Sequence, residues 1–265
     1  MIPKIIHYCW FGRGEKPELV QRCIQSWRKF CPDYEIVEWN ENNFNTSCNR
    51  WCKEAYEFKK WAFVSDYARL KAVYDHGGIY LDTDVELKSV LPKELLKNKS
   101  FFFFEGIRNI NTGFGFGAER KIYILEALMS DYNTRSYIHE GAANTEINTA
   151  RMLKELPWLK RDGTHQEKDD IVIYSEKEFV KFAEHHAMLS WNDDRYVVEL
   201  CKKNSAKYRR ITSILRNPKI MQMLEQNGEM KLSRLYIIFA YDFWDYGPIY
   251  FIGRLLKRLL RKSCI

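Results

Sequence analysis

Apolar and polar positions change their spacing several times along the first 190 or so residues, and each change predicts an element. Ile5 to Phe11 is apolar almost throughout and closes at Gly12 and Gly14, which reads as a buried strand. From Pro17 to Phe30 the period lengthens: Leu19, Cys23, Ile24 and Trp27 share a face, and Pro17 suits a first helical turn. Tyr34 to Trp39 returns to a strand, and Asn40 to Ser47 is a polar loop. Arg50 to His76 is helical, in two pieces, with Gly77 standing where a last turn ends. Gly78 to Glu86 reads as one strand running into polar residues. Phe101–Glu105 and Phe114–Ala118 are further apolar runs; Ile122–Asp131 and Thr145–Leu156 are helices; Ile171–Tyr174 is a short strand. Strand, helix, strand at the start of a chain opens a nucleotide-type α/β fold.

From about Cys201 the pattern changes. Residues 201–265 carry 14 Lys and Arg against 4 Asp and Glu, so the net charge of +7 belongs to this end and the rest is slightly acidic. The expected organisation is a catalytic body, 1–200, and a basic, aromatic helical extension, 201–265. Within the extension, Ile249 to Lys262 interleaves leucines with cations as an amphipathic interfacial helix does. Asp242 and Asp245 argue against a bilayer crossing by the apolar run before it. No stretch approaches about twenty apolar residues, and no secretory-type segment opens the chain. The expectation is a cytoplasmic protein at the inner face of a membrane. The acidic body speaks against an extended nucleic-acid track. The seven cysteines form no C-x-x-C pair and read as reduced structural thiols.

The chemistry concentrates in Trp61 to Glu86, WAFVSDYARLKAVYDHGGIYLDTDVE. In an extended strand Tyr80, Asp82 and Asp84 would share a face. Two carboxylates at the carboxyl end of an apolar strand repel unless a cation lies between them, and such ends are where open α/β sheets hold ligands. A solvated strand end with two ordinary aspartates fits the same spacing. Asp66 and Arg69, at i and i+3 on the preceding helix, form either a plain intrahelical pair or a sugar-gripping pair aimed at the same cleft.

The whole segment resembles the DXD-containing sugar transferases, a group that includes the catalytic domains of large glucosylating toxins, the fungal outer-chain mannosyltransferase and bacterial capsule and lipopolysaccharide transferases. Ser65, Asp66, Arg69, Gly77, Gly78, Tyr80, Asp82 and Asp84 carry the match. IPKIIHYCWFG is similar to the family's first strand, and His185-His186 with Ser190-Trp191 to its late H-H-x-x-x-S-W element. The resemblance implies a GT-A type α/β fold with a mixed central sheet, a UDP- or GDP-sugar donor, Mn2+ or Mg2+, and retention of anomeric configuration. It implies catalytic roles for Asp82, Asp84, Asp66 and Arg69, and donor contacts from Trp10, Ser65, Tyr80, Asn111, Ser190 and Trp191. Asp82, Asp84 and His185 would hold the metal. In Gly141 to Thr149, where relatives often have Gly-Pro and a Thr, the Pro is absent. The implied activity is a hexosyltransferase acting on a lipid-linked or other saccharide in capsule or lipopolysaccharide synthesis. A metal-dependent phosphoryl- or nucleotidyl-transfer enzyme is the first rival, though no G-x-x-x-x-G-K phosphate loop is present. A non-catalytic membrane-associated binding protein on the same fold is the second.

Overall fold

The computed structural model describes residues 1–137 and 143–186. The expected helical extension, with Ser190 and Trp191, lies outside the described residues.

Strands β1 (Ile5–Cys9), β2 (Glu35–Trp39) and β3 (Gly78–Tyr80) are parallel, with β1 in the middle. The sheet continues through β7 (Phe116–Ala118), antiparallel to β3, and β5 (Ser100–Glu105), antiparallel to β7. Then come β9 (Ile171–Tyr174), parallel to β5, and β8 (Gln166–Lys168) at the far edge. The two-residue β6 (Asn109–Ile110) folds back on β5. This is the expected α/β fold with a mixed central sheet. Two antiparallel steps separate β3 from β5, so β5 points the same way as β1 and β3. Their carboxyl ends therefore lie on one rim.

Helix α1 (Glu18–Phe30) buries Val20, Cys23, Ile24 and Trp27, the face its periodicity predicts. The Trp27 indole donates to the Val85 carbonyl, and Leu87 N–H donates to Ser26 Oγ. These bonds hold β4 (Val85–Leu87), which pairs with β10 (Ala183–His185) in a separate two-stranded ladder. Helices α2 (Arg50–Glu57) and α3 (Trp61–His76) are the two expected pieces. Every residue of α3 from Val64 to Leu70 is buried, so it is a central helix with polar groups set into the interior. Helices α4 (Tyr123–Thr134) and α5 (Asn144–Glu155) and the short α6 (Glu176–Phe179) complete the described α-helices.

The expected strand Gly78–Glu86 is divided. It leaves the large sheet after Tyr80, turns through Asp82–Val85, where Val85 N–H bonds the Asp82 carbonyl, and resumes as β4 with another partner. Asp82 and Asp84 thus occupy a turn and do not share a strand face with Tyr80. Entry into β3 needs glycine. Gly77 has φ +68° and ψ −178°, in the corner of backbone space that only glycine uses readily. A Cβ at Gly78, whose φ is +108°, would lie 2.7 Å from the Ile5 carbonyl oxygen.

Candidate active site

The rim gathers side chains from α3, the β3–β4 turn and the loop before β7. Arg69 organises them. The residue is 2% exposed. Nε donates to the Ser65 carbonyl at 3.0 Å; Nη2 lies 3.1 Å from Asp66 Oδ1 and 3.3 Å from Asp82 Oδ1. The ring of Tyr80 packs under it, 4.9 Å from centroid to guanidinium carbon. The Tyr80 hydroxyl donates to Asp82 Oδ1 at 2.7 Å. Burial alone would lower Arg69, but the charges of Asp82 and Asp66 outweigh it and hold the guanidinium charged. Burial raises the Asp66 carboxyl to about 7 against the pull of Arg69. Burial raises Asp82 too, again opposed by Arg69. The Asp66–Arg69 pair is therefore no solvated helix-surface bridge worth tenths of a kcal/mol. It is a triad with Asp82 in which Asp66 and Arg69 are buried and Asp82 is partly open to solvent, so losing Arg69 strands a buried carboxylate.

Asp84 points elsewhere. His185 Nε2 lies 3.3 Å from Asp84 Oδ1, and His186 N–H donates to the Asp84 carbonyl. The β4–β10 ladder sets this register by pairing His185 with Val85. Burial lowers His185, but the Asp84 hydrogen bond and the charges of Asp84, Asp82 and Glu105 raise it overall. His186 instead meets Glu86 at 2.8 Å, which favours His185 as the site histidine.

The remaining expected residues divide. Trp10 follows β1 onto the same rim, half-buried, with its indole N–H on the Gly14 carbonyl and Lys16 over its ring at 5.7 Å. Ser65 turns its hydroxyl back onto the Trp61 carbonyl, and its own carbonyl serves Arg69. Tyr80 is 1% exposed, and its hydroxyl props Asp82 from beneath. Asn111 builds the turn before β7: Oδ1 accepts from Gly113 N–H, and Nδ2 donates to Glu105 Oε2 at 3.3 Å.

Three contributors were missed. Asn144, at the start of α5, donates to Asp66 Oδ1 at 2.8 Å, while its own Oδ1 is buried with no hydrogen-bond partner among the described residues. Gly113 gives its carbonyl to Asp82 N–H, and a Cβ there would sit 2.4 Å from Asp82 Oδ2. The Cys9 thiol, pushed up to about 12 by burial, feels the charges of Arg69 and Asp82 and forms part of the floor. No local sequence signal marks these three, because each acts across 31 residues or more, or across a sheet strand.

The residues fit a hard divalent ion. The Asp84 carboxylate, partly open to solvent, is the oxygen donor such an ion takes, and the His185 imidazole in contact with it could add one nitrogen. Among the described residues no group of three His, Cys, Asp or Glu side chains could hold a metal by itself. An ion here would complete its shell with water and phosphate oxygens, as magnesium-like ions in phosphate sites do.

Residues 17–102 match the family described as "Glycosyltransferase sugar-binding region containing DXD motif". Over 88 residues the chain is 35% identical to inositol phosphoceramide mannosyltransferase 3 of Schizosaccharomyces pombe, a match spanning 32% of this chain and 24% of that protein. The chain thus matches about a quarter of that relative's length. Among solved structures, the PaToxG glycosyltransferase superposes with a TM-score of 0.46 at 17% identity, over 59% of this chain and 70% of that one. A glycosyltransferase involved in glycosylation of the major capsid of PBCV-1 gives 0.40 at 15% identity, over 70% and 94%. Superpositions this loose fix neither activity nor substrate. The resemblance to the DXD-containing sugar transferases therefore holds at the level of sequence, over the segment 17–102 that carries Asp66, Arg69, Asp82 and Asp84.

Proposed function

We propose that the protein is a metal-dependent glycosyltransferase that moves a hexosyl group from a nucleotide-sugar to a saccharide acceptor with retention of configuration. The observation that carries the reading is the Asp66–Arg69–Asp82 triad, its first two members buried, beside the Asp84–His185 pair on the rim where parallel strands end. A rim of this kind is the ligand side of an open α/β sheet. Desolvated charges fixed by their neighbours make a preorganised surface for a polar substrate.

In this reading Asp84 and His185 hold the divalent ion, Mn2+ or Mg2+. When bound, the ion neutralises the charge that grows on the departing diphosphate. The triad grips the donor sugar. Arg69 is fully committed to two carboxylates, so its role is to fix their oxygens for sugar hydroxyls. Asn144 Oδ1, without a hydrogen-bond partner among the described residues, would accept one more hydroxyl once the site opens to the sugar. Trp10 offers its ring to the nucleotide base. In the transfer, the acceptor oxygen bonds the anomeric carbon, and the carbon–oxygen bond to phosphate breaks with its electrons leaving on the diphosphate. The acceptor's proton leaves with that diphosphate. Ser190 and Trp191, which the resemblance assigns to the donor, lie outside the described residues.

The match to a mannosyltransferase makes GDP-mannose one donor to test beside UDP-hexoses. The acceptor is a lipid-linked or other saccharide of bacterial capsule or lipopolysaccharide synthesis, and the basic stretch after Cys201 would hold the protein at an anionic inner membrane face. Among the described residues no helix is long and apolar enough to cross a membrane. The test is a donor screen with purified protein, reading released UDP or GDP with and without Mn2+. Release from one donor, lost with the metal, supports the reading. Phosphoryl or nucleotidyl transfer in its place would favour the rival enzyme class.

A further inference from the structure

On the common rim the strand order puts Trp10 past β1, Asp82 past β3, the Asn111–Gly113 turn before β7, and Glu105 at the end of β5. Glu105 is exposed and, among the described residues, makes no ion pair with Lys or Arg. It is nevertheless tied to the site. Asp82 N–H donates to the Gly113 carbonyl, Gly113 N–H to Asn111 Oδ1, and Asn111 Nδ2 to Glu105 Oε2. Glu105 and His185 also feel each other's charge. If the nucleotide lies on the β1 side and the donor sugar over the triad, the face of the sugar left open is toward β7 and β5. The carboxylate there accepts only one weak bond from a neutral amide, which leaves lone pairs for hydroxyl donors.

We infer that Glu105 is an acceptor-binding residue, taking a hydrogen bond from a hydroxyl of the incoming saccharide and so orienting it toward the anomeric carbon. This rests on the donor reading above and extends it to the second substrate. The alternative is that Glu105 only braces Asn111. Glu105→Gln separates the two, because a glutamine carbonyl can still accept from Asn111 but is a weaker acceptor for a hydroxyl.

The experiment uses the full chain with Mn2+, GDP-mannose or UDP-glucose as donor, and methyl α-mannoside, methyl α-glucoside and methyl β-galactoside as acceptor probes. Nucleotide release is measured without glycoside, where water is the acceptor, and with it. In the wild type a glycoside should raise release and appear in a disaccharide product. Glu105→Gln should raise the glycoside KM about tenfold and shift the ratio of hydrolysis to transfer toward hydrolysis by a similar factor. If Glu105→Gln matches the wild type and only Glu105→Ala is impaired, chiefly in donor KM, the residue is a brace and the inference is wrong. A wild type that hydrolyses donor but ignores every glycoside also overturns it and leaves the donor reading standing. If the wild type releases nucleotide from no donor, the donor reading itself fails, and the acceptor inference with it.

Discussion

At the residue scale the site is a set of charges that stabilise one another in the interior. Replacing Arg69 by Met would leave Asp66 and Asp82 facing each other without a cation. Breaking a buried pair in this way costs about 3–5 kcal/mol. The expected outcome is a fall in stability of that order on urea denaturation at pH 8, shrinking toward pH 5 as the stranded carboxyls take up protons. An unchanged denaturation midpoint would mean the triad is solvated. His7, under the sheet, makes the opposite kind of group. It stays neutral, with Nε2–H donating to the Gly77 carbonyl and Nδ1 accepting from the Trp39 indole. Burial lowers it to about 4. The unfolded chain therefore binds more protons between pH 6.5 and 4, and stability from His7 is present above that window and lost as pH falls through it. The loss amounts to about 3 kcal/mol. Asp66, raised to about 7, works in the reverse sense: its folded form binds the extra proton, and its contribution is lost as pH rises from about 4 to 7. The difference between wild type and His7→Phe isolates His7. Chemical denaturation at pH 4.5 and 6.5 should show a smaller acid loss in the variant; equal losses would contradict a buried neutral His7.

At the element scale two glycines do different work. Gly78→Ala puts a methyl group against the Ile5 carbonyl at a backbone angle that side chains rarely adopt. It should destabilise the fold by about 1–3 kcal/mol or more. Gly113→Ala needs no unusual backbone angle, and its Cβ meets Asp82, Asn111 and Arg69. Displacing Asp82 from Arg69 should lower the thermal midpoint, and donor turnover of the folded variant should fall at least as far as in Asp82→Ala. A folded Gly113 variant with wild-type turnover would mean Asp82 need not hold its position. The sequence pattern predicted most elements, because burial of one helix face or one apolar run is a local property. It failed at Gly78–Glu86. Spacing cannot report that a strand changes partner, and here Tyr80 pairs with Phe116 while Val85 pairs with His185. The same blindness hid Asn144, Gly113 and Glu105. Asp66, Arg69 and the two aspartates were legible because they fall within 19 residues in a pattern with a known resemblance.

At the scale of the whole molecule, location and chemistry should be separable. Five cations between Arg254 and Lys262, outside the described residues, could each contribute about 1 kcal/mol near an anionic leaflet. Deleting residues 249–265 should abolish sedimentation with anionic vesicles at low salt and leave metal-dependent donor hydrolysis intact. Loss of both together would place the segment in the fold.

The central claim is that Asp84 and His185 hold an ion that serves a departing nucleoside diphosphate. It is tested most directly by titrating Mn2+ into the wild type, Asp84→Ala and His185→Ala while measuring nucleotide release from the preferred donor. The account predicts saturable activation of the wild type, abolished by chelator. It also predicts near-complete loss in Asp84→Ala and a metal requirement raised by about 10–100-fold in His185→Ala. Full release by Asp84→Ala in excess chelator would contradict it.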